Sequence, residues 1–147
     1  METASASTLS PTPVAATFGA RLIARIIDAC VVTAIDVLLG QVLGFGYGWL
    51  VLGAVIVLGY FAVLDAAIGT TVGKAVMKLR VIGPDGAHPS LASAVRREAF
   101  MLVGAVPFIG PLVAIGLWIW FSLRIRSDAR GQGPHDHFAG GTRVVQA

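Results

Sequence analysis

Only one cysteine, Cys30, occurs in the 147 residues. A lone thiol excludes an intrachain disulfide and any multi-cysteine metal site. Charge is scarce as well. Asp, Glu, Lys and Arg make up 13% of the chain, where a soluble domain carries about a quarter. The start of the chain shows no basic n-region; Met1–Thr17 is rich in Ala, Ser, Thr and Pro. That stretch reads as a disordered tail, not a signal peptide. Gly69-Thr70-Thr71-Val72-Gly73-Lys74 lacks the spacing of a phosphate loop. Only three residues part its glycines, and Ala75 stands where Ser or Thr is required. His135-Asp136-His137 offers alternating ligands with no spaced fourth, and His88 is distant in sequence. No nucleophile–base or paired-carboxylate arrangement is apparent. The chain is therefore read as a non-enzyme with no metal and no cofactor.

What is present is apolar. Hydrophobic residues reach 56%, and they gather in three segments nearly free of charge: Leu22–Leu43, Trp49–Ile68 and Ala99–Leu123. Each is about as long as a bilayer is thick. The chain is accordingly expected to be an all-α integral membrane protein. Two full transmembrane helices, 22–43 and 49–68, precede a third hydrophobic segment, 99–123. That segment is either a re-entrant hairpin or a kinked span, bending at Val106-Pro107-Phe108-Ile109-Gly110-Pro111, because proline breaks the helical hydrogen-bond ladder. A small loop of strand and helix, 69–98, and a basic tail, 124–147, complete a membrane domain over 18–146.

Charge placement orients the chain. The Gly40–Gly48 turn is uncharged, whereas loop and tail hold Lys74, Lys78, Arg80, Arg96, Arg97 and Arg124. Basic loops stay cytoplasmic, which puts the N-terminus inside as well. The net charge of +3 is thus read as topology and contact with lipid headgroups through those six residues, not as nucleic-acid binding. Within the loop, Met77–Ile82 reads as a strand, Gly83-Pro84-Asp85-Gly86 as a turn, and Ser90 as the cap of a short helix ending at Glu98. The Thr142–Gln146 stretch is strand-like and is expected to pair with Leu79–Ile82, which demands that tail and loop share one side.

The most informative feature is charge inside the first segment. At about 100° per residue, Arg21, Arg25, Asp28 and Asp36 fall within an arc of roughly 80°. A charge at mid-bilayer costs on the order of 3 kcal/mol, so this stripe must face protein. An arginine fork from Arg21 or Arg25 is placed to reach Asp28; Asp36 has no basic neighbour within a turn. Asp65, near the cytoplasmic end of the second segment, is a candidate for a cross-helix salt bridge.

Several pieces in order resemble one family. They are Arg21 with Ile27-Asp28, Gly69-Thr-Thr-Val-Gly-Lys74, Leu79-Arg-Val-Ile, Asp85-Gly86, Pro89-Ser90-Leu91, Arg96-Arg97, His135-Asp136-His-Phe-Ala-Gly140 and Thr142-Arg-Val-Val145. Together they resemble the RDD family of bacterial membrane proteins, over about Phe18 to Val145. By position, Arg21 matches the family arginine and Asp28 the aspartate in the first helix. The second aspartate matches Asp136, with Asp65 as the other candidate. Gly141 is an extra glycine before Thr142. The resemblance implies a multi-pass protein of the bacterial inner membrane. It also implies a transport role, sodium/proton exchange having been suggested for some members, or a role as accessory subunit.

Two functions follow as expectations. One is ion- or proton-linked transport through the stripe of Arg21, Arg25, Asp28 and Asp36, with Asp65 and Asp136 as further polar positions; so few helices require a homo-oligomer to enclose a path. The other is a non-catalytic assembly subunit of a larger membrane complex, with the glycines at 40, 44 and 48 suited to close helix contact.

Overall fold

The computed structural model describes residues 13–106 and 109–147. The expected disordered stretch lies outside these residues through position 12, as does the Pro107-Phe108 part of the expected bend. Two long helices form the frame, α1 (Phe18–Leu43) and α2 (Tyr47–Ala67). The Thr17 hydroxyl accepts from the N–H of Ala20 and caps α1. Gly44, with φ of +81°, ends it. Both helices begin slightly before the apolar segments do. Helix propensity and capping extend them past the hydrophobic boundary.

After α2 come a short helix α3 (Val72–Val76), strand β1 (Leu79–Ile82) and helix α4 (Leu91–Glu98). Ser90 caps α4, accepting from the N–H of Ser93 at 3.2 Å. A 3-10 turn over Ala99–Ala105 follows, then α5 (Gly110–Ser127), α6 (Pro134–Phe138) and β2 (Arg143–Gln146). The expected pairing is observed: β1 and β2 run antiparallel, with Arg80 opposite Val145 and Val81 opposite Val144. The tail before α1 is more ordered than its composition suggests. Ala16 donates to Val144 at 3.0 Å and Val14 accepts from Gln146 at 3.0 Å, so residues 14–16 border β2. Backbone pairing supplies what the polar composition could not.

The buried core lies at this end of the molecule, where Ala16, Ala24, Leu79, Val81 and Val144 pack together. α4 packs on α2, α3 on α1, and α6 on α4. The start of α1, the end of α2, the loop and the tail therefore share one end. The 3-10 turn packs along α5, and Phe100 meets Phe121 with ring centroids 5.0 Å apart. Among the described residues, one helix, Tyr47–Ala67, is long and apolar enough to cross a membrane. Large apolar side chains stand exposed along the helices, among them Leu38, Val42, Val55, Leu112 and Ile115.

Candidate functional site: a buried ion network

α1 brings three of the four stripe residues to the packed end, and each meets a partner from another element. Arg21 Nη2 binds Asp136 Oδ2 at 2.9 Å, and its Nη1 donates to the carbonyl of Gly131. Arg25 Nη2 binds Glu98 Oε2 at 2.8 Å, and its guanidinium lies 4.3 Å above the ring of Phe61. Asp28 is 1% exposed and, among the described residues, has no cationic partner. Its carboxylate accepts from Tyr60 Oη at 2.8 Å, Thr71 Oγ1 at 2.5 Å and the N–H of Gly73 at 2.8 Å.

The expected arginine–Asp28 pairing is therefore replaced. Helical side chains lean toward the N-terminus, so Arg21 and Arg25 reach down into the packed end and away from Asp28. α3 closes over Asp28 instead. The approach is tight: a Cβ on Gly73 would meet the backbone of Ala24 and lie 2.9 Å from the Asp28 carboxyl carbon.

Two residues expected at lipid headgroups are instead at the centre of the network. Lys74 Nζ binds both oxygens of Asp65, at 2.5 and 2.8 Å. Arg97 is 4% exposed and faces three carboxylates. Its Nη1 is 3.3 Å from Asp65 Oδ2, and its Nε is 3.1 Å from Asp136 Oδ1 and 3.9 Å from Glu98 Oε1. Their expected headgroup contact is thus corrected. A buried cation must be paired, and the amphipathic turns of α3 and α4 aim both inward. Lys78, Arg80, Arg96 and Arg124 do lie exposed.

Asp136 gains further support from its own helix start. Pro134 occupies the first turn of α6, and the Asp136 carboxylate reaches back to the N–H of Gly133 at 3.0 Å. Thr142 Oγ1 adds a contact at 3.3 Å.

The network thus joins four cations, Arg21, Arg25, Lys74 and Arg97, with three carboxylates, Asp65, Glu98 and Asp136, while Asp28 beside it is held by neutral donors. Glu98 is the member that sequence reasoning missed. Its signal was a lone acid abutting an apolar segment. Tyr60 and Thr71, which hold Asp28, carried no signal at all. His135 packs on the ring of Phe121 at 5.0 Å, and its Nε2 stands 3.7 Å from Asp136. His137 faces solvent, 3.8 Å from Asp128, so the two histidines flank Asp136 without converging. Among the described residues no group of three or more His, Cys, Asp or Glu could hold a metal ion.

Burial and charge compete at each site. For Glu98, burial alone raises the pKa, but Arg25, Arg97 and Lys74 hold it down at about 2. For Asp136 the opposing burial is likewise outweighed, by Arg97, His135 and Arg21, so it stays below the usual carboxylate range. Burial lowers Lys74 despite Asp65. It also lowers His135, from 6.5 to about 4. Both His135 and Glu98 bind protons more weakly folded than unfolded, so their contribution is present at neutral pH and lost on acidification. The melting temperature of the detergent-solubilised chain should fall in two stages. The first lies between about pH 6.5 and 4 through His135, and the second below about pH 4.5 through Glu98. His135→Gln should remove the first stage; a flat profile from pH 7 to 4 in the parent chain would contradict the assignment.

Asp36 lies apart from the network. Its Oδ1 is buried with no hydrogen-bond partner among the described residues, against the bare backbone of Gly53 on α2. Trp49 Nε1 donates to its backbone carbonyl at 2.9 Å, tying α2 to α1 at that height.

Helices with exposed apolar flanks, locked at one end by buried ion pairs, define a helical membrane protein. The chain belongs to the RDD family, whose model matches residues 15–140, and RDD proteins are membrane proteins. No curated protein and no solved structure matches the chain.

Proposed function

We propose that this chain is a multi-pass protein of the bacterial inner membrane that serves as a non-catalytic assembly subunit. α1 and α2 cross the bilayer, 99–123 re-enters it, and N-terminus, loop and tail lie in the cytoplasm. The supporting observation is the closure of the network. Each carboxylate is already held, Asp65, Glu98 and Asp136 by cations and Asp28 by Tyr60, Thr71 and Gly73, so none is free to carry a cation. The basic surface left over, Lys78, Arg80, Arg96 and Arg124, suits anionic headgroups. The apolar flanks of the helices are then the surfaces open to partners.

Asp36 supports a second reading. An unpartnered carboxylate oxygen at mid-helix is the arrangement expected of a proton-exchanging group, and transport through a homo-oligomer would use Asp28 and Asp36. Purification in a mild detergent separates the two. Co-purification with a larger membrane complex, with no cation-dependent proton flux in reconstituted vesicles, is the expected result. Flux that is lost in Asp28→Asn and Asp36→Asn would overturn the assembly reading and establish transport.

A further inference from the structure

A partly open cavity of about 60 Å³ adjoins the ion network, with Arg21, Arg25, Asp28, Lys74, Arg97 and His135 among its lining residues. Its lining is mostly apolar, with four cations and Asp28 as the sole carboxylate; the cations are paired from behind by Asp65, Glu98 and Asp136, which do not line it. Hydrogen-bonding capacity remains there. A guanidinium has five N–H donors, and Arg21 uses two side-chain nitrogens and Arg25 one. His135 Nδ1 is buried with no hydrogen-bond partner among the described residues, whereas Arg97 Nε is already ion-paired with Asp136 at 3.1 Å.

Beside the cavity runs a groove of about 1100 Å³ between α1, α2, the 3-10 turn and α5. Its walls are almost wholly apolar. It exceeds the roughly 300–1,000 Å³ typical of small-ligand pockets. Along α1 it extends from Arg25 to Leu38, about 20 Å at the helical rise. One leaflet of a bilayer core is about 15 Å deep. Cavity and groove meet, since Arg25, Phe100 and Trp118 line both.

We propose that the joined cavity and groove form a site for one anionic diacyl phospholipid. Its phosphate sits among the cations and its acyl chains lie along α1. Inorganic phosphate or water would fill only the cavity, and a partner helix only the groove. An amphiphile with a compact anionic head matches both. Phe18 also lines the cavity, and Arg126 lies 5.3 Å over its ring, an aromatic–cation pair suited to headgroup depth.

The inference rests on the helices lying in a bilayer, as proposed above. Native mass spectrometry of the full chain in mild detergent, titrated with phosphatidylglycerol or phosphatidylcholine of the same chains, tests it. One phosphatidylglycerol should be retained at least about tenfold more tightly than phosphatidylcholine, and excess inorganic phosphate should not displace it. Ala34→Trp fills the groove from an exposed position outside the network. It should weaken phosphatidylglycerol binding about tenfold with the melting temperature unchanged. In a Trp49→Phe/Trp120→Phe background, brominated-chain phosphatidylglycerol should quench Trp118. Equal retention of both lipids, displacement by inorganic phosphate, or indifference to Ala34→Trp would overturn the site. Release of the chain from membranes at alkaline pH would overturn the membrane reading beneath it. A chain that stays in the membrane but shows no lipid preference overturns this site alone.

Discussion

Replacing Arg97 with methionine is expected to destabilise the folded chain by about 3–5 kcal/mol, enough to abolish its accumulation in membranes. Methionine preserves most of the side-chain length and the packing of α4. What it removes is the positive charge that Asp65, Glu98 and Asp136 share at 3.3, 3.9 and 3.1 Å. Each carboxylate keeps one other cation, Lys74, Arg25 or Arg21. Three buried carboxylates each lose one of two cations. Removing a shared partner from a buried ion cluster is costly because the carboxylates stay desolvated with less charge to offset them. Thermal unfolding in detergent, with yield as a second reading, measures the effect. Arg96→Met, one position away and exposed, should change neither. Similar behaviour of the two variants would show that Arg97 does not sit at the centre of the charge.

Gly73→Ala is expected to cost about as much, although it alters no charge. Its Cβ would meet the backbone of Ala24 and stand 2.9 Å from the Asp28 carboxyl carbon. A backbone obstacle cannot rotate away, so α3 must lift from α1. Overpacking of this kind costs typically about 1–3 kcal/mol. Lifting α3 also breaks the bonds to Asp28 from the N–H of Gly73 at 2.8 Å and Thr71 Oγ1 at 2.5 Å. Hydrogen bonds to a charged group are worth about 1.5–3 kcal/mol each. Gly59→Ala is the control, since nothing lies within 4 Å of its added Cβ. It should leave the protein unchanged or slightly stabilised, by up to about 1 kcal/mol. A melting temperature equal in the two variants would contradict the close seating of α3.

The parts of this architecture legible in the sequence are those set by local pattern. Long apolar runs mark α1 and α2, Ser90 marks the start of α4, and two short β-branched stretches mark β1 and β2. The charged stripe on α1 was legible too, because period and composition alone place Arg21, Arg25 and Asp28 on one face. Their partners were not. Arg21 meets Asp136 across 115 positions and Arg25 meets Glu98 across 73, and no local rule connects them. Proximity along α1 suggested Asp28 as the arginine partner, but the N-terminal lean of helical side chains carries the guanidinium groups the other way. Lys74 and Arg97 were read as headgroup contacts because they lie in a basic loop. Only the docking of α3 and α4 onto α1 and α2 shows that two of its cations turn inward. The family resemblance supplied the pairing of Arg21 with Asp28 and Asp136 as notable positions; the geometry gives each a different task.

The central claim is that buried charge fastens the loop and tail to the helices. A double-mutant cycle on Arg21 and Asp136 tests it most directly, using Arg21→Met, Asp136→Asn and the double variant, with stability read by thermal or denaturant unfolding in detergent. Coupling of at least about 1 kcal/mol is predicted, the double variant being less damaged than the sum of the singles. Strict additivity would contradict the account, because two residues whose losses simply add do not hold one another.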